Sequence, residues 1–385
     1  NFIAYAFMGI PAGMLLKRIG YKKTALAAIA VGIVGVGTQF FSGIVPENMA
    51  FAIYLTGAFV AGFSMCMLNT VVNPMLNTLG GGGKRGNQLI QFGGSLNSIS
   101  ATIVPVFVGY LMGNVATATI NKANPALFIA IGIFALAFIV LYFMQIPEPA
   151  QEIEAQKESA EGVKDPHSAL SFRHFILGAV AIFLYVGVEV GIPNFVNLFL
   201  STPVDAVDSV PGLGYEAALA GSICGTYWFL MLIGRLFGGF LGAKFSSKAM
   251  LTFVSLLGLL FVLLAIFLPE TIKVDMPVFQ SDISFGLAEV PIGIMFLILC
   301  GLCTSVMWGG IFNLAVEGLG KYTAMASGIF MVMVCGGGIL PLIQGGVADL
   351  FGYMASYWVV FAALIYMLYY ALIGCKNVNK NIPVD

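Results

Sequence analysis

Gly13-Met-Leu-Leu-Lys-Arg-Ile-Gly-Tyr-Lys22 sets three basic residues between two long apolar runs. A charged turn between uncharged stretches is the pattern expected where two membrane-spanning helices meet water. The rest of the 385-residue chain agrees: 59% of it is hydrophobic, only 9% is charged, and its mean hydropathy is +0.97. A soluble domain carries about a quarter charged residues, so this surface must be solvated by lipid. A span needs roughly 20 apolar residues. Segments at 1–16, 24–45, 51–79, 87–113, 126–146, 174–200, 215–243, 249–269, 291–318, 323–350 and 355–374 meet that need, giving an all-α membrane protein with eleven spans. The sequence opens inside an apolar run at Asn1, which predicts a further helix upstream.

The turn has a copy. Gly13, Leu15, Arg18 and Lys22 recur as Gly239, Leu241, Lys244 and Lys248 at a constant offset of 226. Gly83-Lys84 and Pro105 recur as Gly320-Lys321 and Pro341 at offsets of 237 and 236. Corresponding loops face the same side, so the repeat is parallel, six helices to a unit. The reading is an N-terminal bundle at 1–146 with five of its six spans, a polar linker at 147–173, and a six-helix bundle at 174–385. With the linker placed in the cytoplasm, fifteen of the seventeen Lys and Arg fall on or near that side, leaving only Lys122 and Lys273 outside. That bias orients the chain, linker and C-terminus inward.

Several chemistries drop out. A net charge of −1 favours no nucleic acid. The six cysteines sit in or beside apolar stretches, and Cys300-x-x-Cys303 lacks further ligands, so no metal site is expected. Gly80–Lys84 is followed by Arg85 rather than Ser or Thr, and so is no phosphate loop. No span holds a catalytic cluster, and His167 and His174 lie in or beside the linker; the chain is not read as an enzyme and no cofactor is expected.

The polar residues inside the spans carry the function. Asn69, Asn73 and Asn77 form one stripe on one helix, and Gln88, Gln91, Ser95, Ser98 and Thr102 form another on the next. Single interhelical bonds of about 0.6 kcal/mol would explain a few such groups; two long stripes predict a wet cavity. Glu189 lies mid-span, where a carboxylate costs roughly 2.5–3.5 kcal/mol, with Tyr185 a turn before it and Pro193-Asn194 beyond. It is read as binding substrate or the coupling ion, against the alternative of a protonated or paired structural Glu. Trp308 and Asn313 offer an aromatic face and an amide, groups suited to the C–H and O–H faces of a sugar. Arg235 and Glu317, read as lying near cytoplasmic helix ends, are expected either to form or neighbour a gating ion pair or to act as separate anchors.

Two parallel six-helix units joined by a cytoplasmic linker resemble the major facilitator superfamily, and the 13–22 turn is similar to its loop motif, with Lys17 where an Asp is usual. Ile10-Pro-Ala-Gly-Met-Leu15, Asn69-Thr-Val-Val-Asn-Pro74, Gln91 through Asn97-Ser98, Tyr185-Val-Gly-Val-Glu189, Ile233-Gly-Arg-Leu-Phe237, Ile311-Phe-Asn-Leu314 and Gly336-Gly-Gly-Ile-Leu-Pro341 together resemble the fucose–proton symporter family and its glucose/galactose transporter branch. The resemblance implies a monomeric, multi-pass protein of the bacterial inner membrane. It would import a hexose with a cation, H+ or Na+, by alternating access. It also matches Asn97 and Trp308 to sugar-cavity positions, while Asn69 stands where the fucose branch has a carboxylate and Glu189 where it has an amide. The expected binding set is Asn69, Asn73, Gln91, Asn97, Tyr185, Glu189, Asn194, Trp308 and Asn313, with Glu189 coupling the cation and Arg18, Lys22, Arg235 and Glu317 at loops and gates. Carriage of another neutral polar solute, such as a nucleoside or drug, is the alternative, as is a non-transporting sensor.

Overall fold

The computed structural model describes residues 2–112, 123–146, 148, 166–206, 210–279, 284–379 and 381–384. Among the described residues, twelve α-helices carry the fold. Four come early: α1 (Phe2–Phe41), α2 (Glu47–Leu79), α3 (Gly83–Met112) and α4 (Asn124–Phe143). Eight follow: α5 (Arg173–Ser201), α6 (Ala217–Gly242), α7 (Ser247–Phe267), α8 (Ile292–Ser305), α9 (Met307–Val316), α10 (Thr323–Met333), α11 (Gly336–Phe351) and α12 (Tyr353–Tyr369). One element was not expected from the apolar pattern, an antiparallel hairpin of β1 (Lys273–Phe279) and β2 (Phe285–Pro291) between α7 and α8. Most of the expected linker, 147 and 149–165, lies outside the described residues, as do Lys122 and Lys380.

The expected eleven spans do not hold. Among the described residues, nine helices are long and apolar enough to cross a membrane. Two places account for the difference. The stretches 1–16 and 24–45 fall mostly within one 40-residue helical element, and the stretch 87–113 overlaps α3, which is not among the nine. Within α1 the backbone leaves helical geometry at Gly20, at φ 78°, a conformation glycine adopts without steric cost. The helical run that restarts there exposes amide donors at its N-terminus, and Glu148 accepts from both: Tyr21 N–H at 2.9 Å and Lys22 N–H at 3.2 Å. Lys22 Nζ in turn donates to the carbonyls of Tyr142 and Met144 at the end of α4, at 2.8 and 2.7 Å. A carboxylate on a helix start and an ammonium on a helix end thus lock the basic turn to α4.

Helices before residue 146 meet those after 166 along two seams, α1 against α10 and α3 against α6. Both are built on glycine, because small residues let helix backbones approach where lipid offers no hydrophobic driving force. A Cβ built on Gly328 of α10 would stand 2.5 Å from the Gly9 carbonyl oxygen and 2.8 Å from Gly13 Cα. One built on Gly239 of α6 would stand 2.7 Å from the Phe92 ring.

Gly328→Ala therefore forces two backbones apart and is expected to lower Tm, on the scale of an overpacked core, about 1–3 kcal/mol. Gly132→Ala, at a helical position with nothing within 4 Å of the added methyl, should leave Tm unchanged or raise it. Thermal unfolding of the two purified variants checks this, and equal losses would contradict the seam.

Candidate functional site

A cavity of about 300 Å3 opens between the seams. Tyr5 from α1, Asn69 and Asn73 from α2, and Gln91 and Asn97 from α3 line one side. Glu189 from α5, Arg235 from α6, Ser305 from the end of α8 and Trp308 from α9 line the other. The stripe on α2 reaches the cavity because residues four apart share a helix face.

Arg235 organises this space. Its Nη2 lies 3.2 Å from Glu189 Oε1, and both side chains are nearly buried, at 11% and 15% exposure. Nη1 donates to Ser98 Oγ at 2.6 Å and to the Gly94 carbonyl at 3.2 Å, and Nε donates to the Ser305 carbonyl at 3.4 Å. One guanidinium thus ties α5, α6 and α8 to α3. Its planar fork of donors suits this use, since a buried charge persists only when paired and hydrogen-bonded. The net charge of the pair is zero.

Neutral groups complete the lining. Asn69 Nδ2 donates to the Tyr5 hydroxyl at 2.9 Å, and Asn73 Nδ2 donates to the Asn69 carbonyl at 2.9 Å. Trp308 Nε1 donates to Asn73 Oδ1 at 3.4 Å, so the chain of contacts runs from α1 and α2 across to α9. Tyr185 is fully buried behind the cavity, its ring 6.2 Å from that of Trp308. Between α8 and α9 the helix breaks at Val306, whose carbonyl takes a second donor, Gln91 Nε2, at 3.0 Å. Gly309 lets that amide pass, since a Cβ there would stand 2.8 Å from Gln91 Nε2. Broken helices are tolerated at membrane depth where the freed backbone groups find such partners.

Other expected residues stand elsewhere. Asn194 is exposed and does not line the cavity. Asn313 is buried against Ser247, Nδ2 to Oγ 2.8 Å, beside a second cavity at the ends of α7 and α9. Arg18 is exposed on the basic turn, and Lys22 serves the clasp on α4. The expected pairing of Arg235 with Glu317 is corrected: Arg235 pairs with Glu189, while Glu317 is exposed and its backbone carbonyl meets His174 Nε2 at 3.0 Å. Seven residues separate Arg235 from the end of α6 at Gly242, about 10 Å of helix. That depth was the signal that could have placed it inside. Tyr5, Ser305 and Gly309 were not anticipated; only their helical phase relative to the recognised residues could have flagged them.

Comparison with known proteins gives one coherent picture. The profile of the Major Facilitator Superfamily matches residues 1–342. The glucose/galactose transporter of Brucella abortus biovar 1 (strain 9-941) is 29% identical over 381 residues, covering 98% of this chain and 84% of that one. The L-fucose-proton symporter of Escherichia coli (strain K12) is 23% identical over 371 residues, covering 91% and 77%. Among solved structures, the E. coli fucose:proton symporter superposes with a TM-score of 0.78 at 20% identity, over 98% of this chain and 89% of that one. A proton:xylose symporter superposes at 0.68 and 14% identity, over 96% and 83%.

The geometry predicts strong coupling between Arg235 and Glu189. Glu189→Gln or Arg235→Gln alone strands a buried charge and should cost roughly 3–5 kcal/mol, whereas the double variant should recover a good part of it. Thermal stability of the four proteins in detergent measures the cycle. Additive losses would mean that the two side chains do not depend on each other.

Proposed function

Because this chain belongs to the Major Facilitator Superfamily and is a multi-pass membrane transport protein, we propose that it imports a monosaccharide together with a cation by alternating access. The observation that carries the reading is the single cavity in which amides, an indole and a neutralised ion pair face one another. Its volume falls at the lower end of the range for small-molecule sites. Asn69, Asn73, Gln91 and Asn97 exchange hydrogen bonds with sugar hydroxyls, and Trp308 lies against the apolar C–H face of the ring. Pairing with Glu189 cancels the charge of Arg235, so the site keeps its preference for a neutral solute. The names of the relatives, transporters of glucose/galactose and fucose, support a hexose.

Glu189 is the coupling group in this reading. A proton or sodium ion arriving there competes with Arg235 for the same carboxylate oxygen. Arg235 also holds Ser98 and Gly94 on α3, so loading the cation alters the grip between α6 and α3. Cation and sugar then bias one equilibrium between two arrangements, which is what coupling requires. The moving parts are residues 1–146 and 174–385, joined by the 147–173 linker. The protein works as a monomer in a bacterial inner membrane, with linker and C-terminus cytoplasmic.

Uptake of labelled glucose, galactose, fucose and mannose by cells expressing the protein tests the substrate, and a protonophore or sodium replacement identifies the ion. Glu189→Gln is expected to abolish accumulation against a gradient while sparing exchange of sugar across the membrane. Asn73→Ala and Trp308→Ala should weaken apparent sugar affinity about 5- to 100-fold, the effect of leaving a hydroxyl or stacking face unmatched. Full accumulation by Glu189→Gln would remove Glu189 from coupling.

A further inference from the structure

A second cavity, of about 680 Å3, lies where the basic turns gather, and the transport reading makes no use of it. Lys84 at the start of α3, Lys248 in the first turn of α7 and Lys376 beyond α12 line it, against one carboxylate among the described residues, Glu317. Lys84 Nζ donates to the Lys244 carbonyl at 2.9 Å and Lys248 Nζ to that of Leu372 at 3.1 Å. Each of these bonds occupies one of the three N–H groups of an ammonium. The 21-residue α7 also begins at this cavity, N-capped by Ser246, which accepts from Ala249 N–H at 3.2 Å. Helix start and lysines together describe a seat for an anion.

Glu317 adds an independent demand. It is exposed and lines the same cavity as the lysines, and its carboxylate only accepts hydrogen bonds. It repels a bare anion, whereas a ligand that carries both an anionic group and hydroxyls meets the lysines with the first and Glu317 with the second.

We propose that this cavity binds a phosphorylated monosaccharide, phosphate on Lys84, Lys248 and Lys376 and hydroxyls on Glu317, and that its occupancy holds the α3–α6 seam shut. Lys84 belongs to α3, on one side of that seam, whereas the other contacts come from residues on the far side, at the ends of α7, α9 and α12. Beside the cavity the seam is tight: a Cβ on Gly242 would stand 3.3 Å from Asn87 Nδ2. A ligand touching both sides favours the arrangement in which they are together. A sugar phosphate on the linker side would thereby slow further import. The regulatory half of the proposal rests on the transport reading; the binding half does not.

Calorimetric titration of the full chain in phosphatidylcholine nanodiscs with glucose 6-phosphate, inorganic phosphate and glucose tests binding directly. Glucose 6-phosphate is expected to bind at least tenfold more tightly than inorganic phosphate. The Lys84→Gln/Lys376→Gln protein should lose at least tenfold of that affinity, with glucose binding unchanged, and Lys376→Arg should retain it. Glucose counterflow in proteoliposomes should be slowed by glucose 6-phosphate in the parent protein and not in the double glutamine variant. Equal affinity for the ester in parent and double variant would overturn the site. So would tighter binding of a phosphoinositide offered in the nanodisc, which would make the occupant a lipid headgroup. Absence of any counterflow together with lysine-dependent titration would uphold the site and refute the transport reading alone.

Discussion

A guanidinium about 10 Å inside a helix end is the constraint around which this molecule is arranged. Arg235 cannot stay there bare, because an unpaired charge at membrane depth costs several kcal/mol. Its needs are met from four places: a carboxylate on α5, a hydroxyl and a carbonyl on α3, and the carbonyl of Ser305 where α8 gives out. Each partner is thereby fixed in position relative to the others. The cavity is the space left where these polar side chains keep the helices from closing.

Elsewhere the helices do close, and glycine sets how far. The α1–α10 seam brings backbones together at Gly9, Gly13 and Gly328, and the α3–α6 seam seats the Phe92 ring on Gly239. Bare backbone at the seams and bulky polar side chains between them produce a chamber without any special wall. The basic turn is settled by electrostatics of another kind, with Glu148 on the amides after Gly20 and Lys22 on the carbonyls ending α4. Glu148, the first acidic residue past α4, therefore takes part in the fold.

Much of this was legible in the residue pattern, and the misses have physical causes. Spacing found Asn69, Asn73 and Gln91, and mid-span position found Glu189, because polar groups at helical intervals inside apolar runs have few places to go. Family resemblance supplied Asn97, which sits off the α3 stripe. Hydropathy miscounted spans because it responds to apolar content and length: it divided one helical element at its basic turn and counted α3, which is not among the nine. Arg235 was expected near a helix end, yet α6 continues past it to Gly242. Asn194 and Asn313 share sequence neighbourhoods with cavity residues but point elsewhere, since rotation about a helix axis separates residues that lie close in sequence.

Trp308 gives the protein an optical property of its own. The chain has three tryptophans. Trp358 is 43% exposed and packs on Phe267 and Phe361, and Trp228 stands edge-on to Tyr227. Only Trp308 presents its indole to the chamber, its N–H held by Asn73. Its fluorescence is thus a resident gauge of what fills that space, one that reads wetting and drying of the interior with no label attached.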